Sequence, residues 1–118
     1  TLFVRDAARL PAAARAGVGI LAGSPEDAAA VRASPAGARA VYLAVPPNLG
    51  TDDMAAFQRR VGRIAADAAA AEGVRRVVFL SSAGAQRDDM HAVSRLGEVE
   101  RMLEGAVPDL RALRPGFF

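Results

Sequence analysis

Residues 77–80, Val-Val-Phe-Leu, form an unbroken apolar run between Arg75-Arg76 and Ser81-Ser82-Ala83-Gly84. The lack of polar alternation predicts a strand buried on both faces, as in a parallel sheet covered by helices. Ligands of such sheets bind beyond the carboxyl ends of the strands. Ser81 and Ser82 stand at that end, and Ala83 and Gly84 are small enough to let a ligand reach the backbone. The same hydroxyls would equally serve to cap the next turn.

Apolar runs at 2–4, 18–22, 40–45 and 110–113 predict four more strands, separated by segments with helical spacing. Residues 6–16 are rich in alanine and arginine; Pro11 can open a helical turn there and Gly17 ends it. Ser24-Pro25-Glu26-Asp27 predicts a helix start, with Ser24 as N-cap and Pro25 at the first helical position, and Ser34-Pro35-Ala36-Gly37 predicts its end. The clearest helix spans 52–72, with Thr51 as N-cap, acids in the first turn and Gly73 beyond the end. Met54, Phe57, Val61, Ile64, Ala68 and Ala71 make one apolar stripe along it. Asp88 or Asp89 caps a further helix to residue 104, whose stripe is Ala92, Leu96, Val99 and Leu103. Strands alternating with helical returns predict right-handed crossovers and a three-layer α/β fold, in one domain over 1–118.

The length suffices to bury one core and not two. All 15 basic residues are arginine, and the 13 acids leave a net charge of +2. The isoelectric point near 10.3 reflects the absence of lysine and this near balance, not a nucleic-acid footprint. Arg59, Arg60 and Arg63 fall on the outer side of the 52–72 helix and read as a solvated face. The absence of cysteine excludes disulfides and thiolate chemistry, and a single histidine argues against a zinc site. There is no apolar run long enough to span a membrane and no signal-peptide pattern. The default expectation is a cytoplasmic protein without nucleic-acid, membrane or metal partners.

Five segments in order resemble the NmrA-like group of atypical short-chain dehydrogenases. They are Leu-Phe-Val-Arg-Asp at 2–6, Gly-Val-Gly-Ile-Leu-Ala-Gly-Ser at 17–24, Val-Tyr-Leu-Ala-Val-Pro-Pro at 41–47, Val-Val-Phe-Leu-Ser-Ser-Ala-Gly at 77–84 and Leu-Arg-Pro-Gly-Phe-Phe at 113–118. The resemblance covers essentially the whole chain and implies a Rossmann-type domain that binds NAD(P), usually NADP(H), with NAD as the alternative. It implies that Arg5 meets the adenosine 2′-phosphate, a task that suits a bidentate guanidinium; an exposed Arg5 paired with Asp6 is the other reading. Gly23-Ser24 matches the turn beside the adenine, with Ser24 where the group usually has aspartate. Val45, Pro46 and Pro47 match the loop beneath the nicotinamide ribose. Ser81 and Ser82 match the strand end facing the nicotinamide, and Pro115, Gly116 and Phe117 belong to the closing motif assigned to the cofactor.

His91 and Arg95 lie four residues apart, on one helix face. Other short-chain dehydrogenases carry Tyr-x-x-x-Lys at this spacing, and within the NmrA-like group a lysine is typical where Arg95 stands. Ser82, His91 and Arg95 are therefore the candidates for polarising or positioning a substrate, and Arg95 also for holding ribose hydroxyls. A surface histidine near Asp88 or Glu98 is the alternative for His91.

The group opens with a strand and a Gly-x-x-Gly-x-x-Gly loop whose amides hold the pyrophosphate. Gly17, Gly19 and Gly23 are spaced differently and enter a strand instead of leaving one. The resemblance thus implies an incomplete Rossmann-like sheet, without its first strand or the C-terminal substrate-binding part. The strands flanking the absent one must then pair directly or leave backbone groups unpaired. Three functions are in view: an NAD(P)H-dependent oxidoreductase acting on a small-molecule acceptor, a non-catalytic NADP(H) sensor with a regulatory protein partner, or an inactive piece lacking the pyrophosphate loop.

Overall fold

A computed structural model describes residues 1–89 and 92–116. Along the chain it forms β1 (Leu2–Val4), a 3-10 turn (Ala7–Arg9), α1 (Ala12–Arg15), β2 (Ile20–Ala22), α2 (Ala28–Ala33), β3 (Ala40–Ala44), α3 (Met54–Ala71), β4 (Arg76–Leu80), α4 (Ala92–Glu104) and β5 (Asp109–Leu113). All strand pairings are parallel, in two sheets ordered β1-β2 and β3-β4-β5. The expected α/β architecture of parallel strands and flanking helices is present.

Local chemistry moves several predicted boundaries. Pro11 opens α1 as expected, and because a proline bars its predecessor from helical backbone, Leu10 is extended and the 3-10 turn before it stands apart. Asp6 caps the first turn, its carboxylate accepting from the Ala8 N–H at 2.9 Å. Asp27, not Ser24, caps α2, accepting from both the Ala29 and Ala30 N–H groups. A carboxylate can take two amides at once and complements the positive helix end, while Ser24 caps the turn before it through the Glu26 N–H. Likewise Asp53 caps α3 at the Ala56 N–H, and Thr51 accepts from Asp53. The cap expected at Asp88 or Asp89 adjoins Met90 and His91, which lie outside the described residues.

The core lies between the β3-β4-β5 sheet and helices α3 and α4. Phe79, Leu103, Val99, Val77 and Val74 are its fully buried members. On α3, Phe57, Val61 and Ala68 are buried as the stripe predicts, whereas Ala71 is exposed. Gln58, Gly62, Ala66 and Ala69 are buried as well, because α3 packs on α2 and α4 in addition to the sheet. Two glycines let α4 come close. A Cβ at Gly62 would lie 2.5 Å from Val99 Cγ2, and one at Gly97 would overlap the Ala85 carbonyl oxygen.

Only one face of this sheet is fully covered. Val77 and Phe79 point into the core, while Val78 and Leu80 on the other face are half-buried. Their neighbours in register are Tyr42 and Leu113, 61% and 46% exposed.

The two sheets face each other across a gap. A cavity of about 630 Å³ is lined on one side by Thr1, Leu2 and Phe3 and on the other by residues 40–44. The Leu2 N–H donates to the Gly19 carbonyl and the Gly23 N–H to that of Val4, so Leu2 and Val4 turn their backbone groups toward β2. By alternation the groups of Phe3 face the gap. The Arg75 N–H donates to the Arg39 carbonyl, which by the same parity leaves Ala40, Tyr42 and Ala44 facing it from β3.

Ion pairs brace the second sheet. Arg76 Nε donates to Asp109 Oδ2 at 2.6 Å across β4 and β5, and Arg114 grips Glu100. Arg76 holds the Asp109 carboxyl below its ordinary value, and Arg114 does the same for Glu100 against an opposing push from burial.

Two outcomes are expected. Gly62→Ala and Gly97→Ala each destabilise the chain by about 1–3 kcal/mol in urea denaturation. Adding Val99→Ala recovers part of the Gly62→Ala loss and none of the Gly97→Ala loss, since only the first clash is with a side chain. Because the Glu100 and Asp109 carboxyls titrate lower when folded than unfolded, their stabilisation is complete above the unfolded value of about 4. It is lost as the pH falls through the folded values. Urea midpoints measured from pH 7 down to pH 3 should fall along that limb, and Glu100→Gln should make the fall shallower.

Candidate cofactor cleft

Parallel register brings the ends of β3, β4 and β5 level: Ala44, Leu80 and Leu113 are in one row. The residues that follow, Val45, Ser81 and Arg114, therefore leave the sheet side by side. Val45 is buried in the core, while Pro46 and Pro47 are exposed and stop the strand. Beyond them Asn48 forms a tight turn, its side-chain oxygen accepting from the Gly50 N–H, and this turn leaves Leu49 92% exposed.

The turn after β4 is tied to the segment after β5. The Ser81 N–H donates to the Leu113 carbonyl at 2.8 Å, and the Ala83 N–H to the Pro115 carbonyl at 2.9 Å. Gly84 takes φ +89°, a left-handed conformation that favours glycine, and the chain then folds back through Ala85 under α4. Among the described residues the buried Ser81 Oγ finds no hydrogen bond of good geometry, although it lies near the Glu100 carboxylate and adds a lesser lowering influence there. Ser82 is half-buried, and the only hydrogen bond of its hydroxyl among the described residues is a long one, 3.4 Å, to the Ala83 carbonyl. Ser82 thus presents a hydroxyl at the strand end, while Pro115 and Gly116 sit beside it.

At the first sheet, Arg5 follows β1 and Gly23-Ser24 follow β2, again at carboxyl ends. The Arg5 side chain is exposed and makes no ion pair among the described residues; Asp6, its alternative partner, is engaged as a helix cap. Gly23 is closely surrounded. A Cβ added to it would lie 3.0 Å from Ala30 Cβ and 3.2 Å from the Phe3 ring, so a side chain there would push β1 and α2 apart.

Arg95 does not extend freely from α4. Its guanidinium pairs with Glu98 one turn on, and Glu98 also faces Arg59 of α3 at 3.8 Å. The Glu98 carboxylate expected as a neighbour of His91 is therefore held by two arginines. His91 and Phe117 lie outside the described residues.

Two buried polar groups escape sequence reasoning. Glu100, whose side chain is only 10% exposed, receives a two-pronged contact from Arg114: Nε to Oε1 at 3.0 Å and Nη2 to Oε2 at 2.5 Å. Its one signal is its position on the flank of the α4 stripe, beside Val99 and three residues before Leu103. Gln58 is buried on α3 with its amide oxygen unpartnered among the described residues, and nothing in the local pattern marks it.

The described residues hold no group of acids and histidine suited to a metal ion, and none of their helices is long and apolar enough to cross a membrane.

Comparison with known proteins adds the family. Among solved structures, an NADPH-dependent quinone oxidoreductase from Escherichia coli complexed with NADPH matches 98% of this chain at 24% identity, with a TM-score of 0.80. Triphenylmethane reductase from Citrobacter sp., complexed with NADP(H), matches 95% at 16% identity and a TM-score of 0.81. A nucleoside-diphosphate-sugar epimerase from Staphylococcus aureus matches 95% at 18% identity and a TM-score of 0.78. At these identities the likeness is one of fold. The chain spans only 38–39% of the length of those proteins. No curated protein sequence matches it significantly. The family model described as NAD(P)H-binding matches residues 1–112, and the chain therefore belongs to the NAD(P)H-binding domain family.

Proposed function

We propose that this chain is the cofactor-binding part of an NmrA-like NAD(P)H-dependent oxidoreductase. The observation that carries the reading is the level exit of β3, β4 and β5, which sets Val45 to Pro47, Ser81 to Gly84 and Arg114 to Gly116 along one edge. The donor set fits both ends of a dinucleotide. Ser82 offers a hydroxyl toward a nicotinamide and its ribose, with the backbone of Ser81 beside it and the buried Ser81 hydroxyl turned to Glu100; Pro46, Pro47 and Pro115 offer apolar walls, and Arg5, without an ion pair among the described residues, offers a cation to an adenosine 2′-phosphate. When bound, the reduced nicotinamide supplies a hydride to an electrophilic small molecule. The chain's own part is orientation and exclusion of water.

The middle of the cofactor is served less well. The gap between β1 and β3 exposes two rows of backbone groups to each other, and a cavity of about 630 Å³ lies where a further strand would fit. We read it as the place of the family's first strand, whose following turn would hold the pyrophosphate between Arg5 and Val45. If no strand fills that gap, the inactive-piece reading holds in place of the main one.

A regulatory NADP(H) sensor is favoured by a different observation. Arg95 is committed to Glu98 and so does not stand free to hold a ribose or assist proton transfer. Partner affinity that is identical with NADP⁺, NADPH or neither would rule the sensor out.

Calorimetric titration of this chain with NADPH, beside a version extended by a strand and glycine-rich turn, tests the main reading. Binding should be weak or undetectable for the 118 residues alone and tight for the extended version. Tight binding by the shorter chain would overturn the role given to the gap. In the extended version, Arg5→Ala should weaken NADPH by about 10- to 100-fold, the worth of a charge-assisted contact, and leave NADH nearly unchanged.

A further inference from the structure

We propose that Glu100 is a positioning residue for the segment from Arg114 to Gly116, holding it across the end of β4. Its consequence for the cofactor rests on the reading above, in which that segment borders the nicotinamide.

Other carboxylates in ion pairs accept surface arginines: Glu72 from Arg32, Glu26 from Arg60 and Asp89 from Arg87 have side chains 25%, 37% and 67% exposed. Glu100, at 10%, is far more enclosed. A carboxylate withdrawn from water loses part of its partner's attraction to desolvation, so stability is not the whole of what the pair supplies. What the pair supplies is geometry. Both carboxylate oxygens are engaged by Nε and Nη2 of one guanidinium, which fixes the plane and the direction of approach of Arg114.

That direction matters because little else restrains the segment. Beyond the last ladder residue, Leu113, the Pro115 carbonyl accepts from the Ala83 N–H, and Pro115 has no N–H to give in return. Gly116 is exposed. The segment is thus held from one side by a single backbone hydrogen bond and from the other by the Glu100 fork. Helix α4 contributes Glu100, and β5 leads into Arg114, so the fork couples helix position to the shape of the turn from Ser81 to Gly84.

Amide hydrogen exchange on the 118-residue chain reads this coupling at the Ala83 N–H, with the β4 amides of Val77 to Phe79 as internal reference. Glu100→Gln should lower the protection factor at Ala83 by about tenfold and the reference amides clearly less, as for a local opening added to any global loss. Arg114→Lys, which keeps the charge and loses the fork, should do the same. Unchanged protection at Ala83, or an equal loss at Ala83 and the reference amides, would make the pair an ordinary brace and overturn the proposal. Should one variant fail to fold, the other decides; failure of both also marks a global brace.

A second measurement separates this proposal from the cofactor reading. In nuclear magnetic resonance titrations at millimolar ligand, Glu100→Gln should weaken NADPH and leave adenosine 2′,5′-bisphosphate, which has no nicotinamide, unaffected. Equal weakening of both ligands overturns the positioning role at the nicotinamide side. If the version extended by a strand and glycine-rich turn binds neither, the cofactor reading fails, while the exchange result still decides the role of Glu100.

Discussion

The hydrogen bonding of β4 on both of its edges is the constraint on which the rest of the structure depends. A strand bonded on one edge can slip in register, but β4 is locked to β3 and β5 together, and a slip of one residue would turn Phe79 and Val77 out of the core. With that register set, Val45, Ser81 and Arg114 have to emerge in a row. The helices follow from it too. Once Val77 and Phe79 point to one face, α3 and α4 must cover them, and they meet closely enough that Gly62 and Gly97 are required.

The first sheet lacks this security. Three-residue strands β1 and β2 bond only to each other, and β3 stands apart from them. Neither edge finds a mate across the gap, although the helical returns hold the two sheets in the arrangement shared with much longer NAD(P)-dependent proteins. On the outward face of β3, β4 and β5, exposed Tyr42 and Leu113 lie in register beside half-buried Val78 and Leu80.

Helices and strands are legible where periodicity is strong. The run at 77–80, the 52–72 helix and the order of five strands all emerge from hydrophobic spacing and stop signals. Caps are harder to read, because Ser24 and Asp27, or Thr51 and Asp53, compete for the same amides, and the carboxylate wins in both cases. In the 6–16 segment Pro11 marks the helical turn it opens, while the separate 3-10 turn before it shows only in the structure. Among the candidate residues, Arg5 and Ser81 show themselves through their places at strand ends. Glu100 and Gln58 do not, since each looks like an ordinary polar position on a helix.

Local sequence determined which segments are strand or helix, which face of α3 and α4 is apolar, and the presence of small and hydroxyl-bearing residues after β4. Those properties depend on neighbours a few residues away, and a single chain displays them openly. Tertiary structure alone decided that β1 and β3 do not pair, that α3 packs on α2 and α4 as well as on the sheet, and that Arg114 closes on Glu100 across 14 residues. Each of these is set by which distant backbone edges and side chains come within hydrogen-bonding reach, and spacing along the chain carries no record of that.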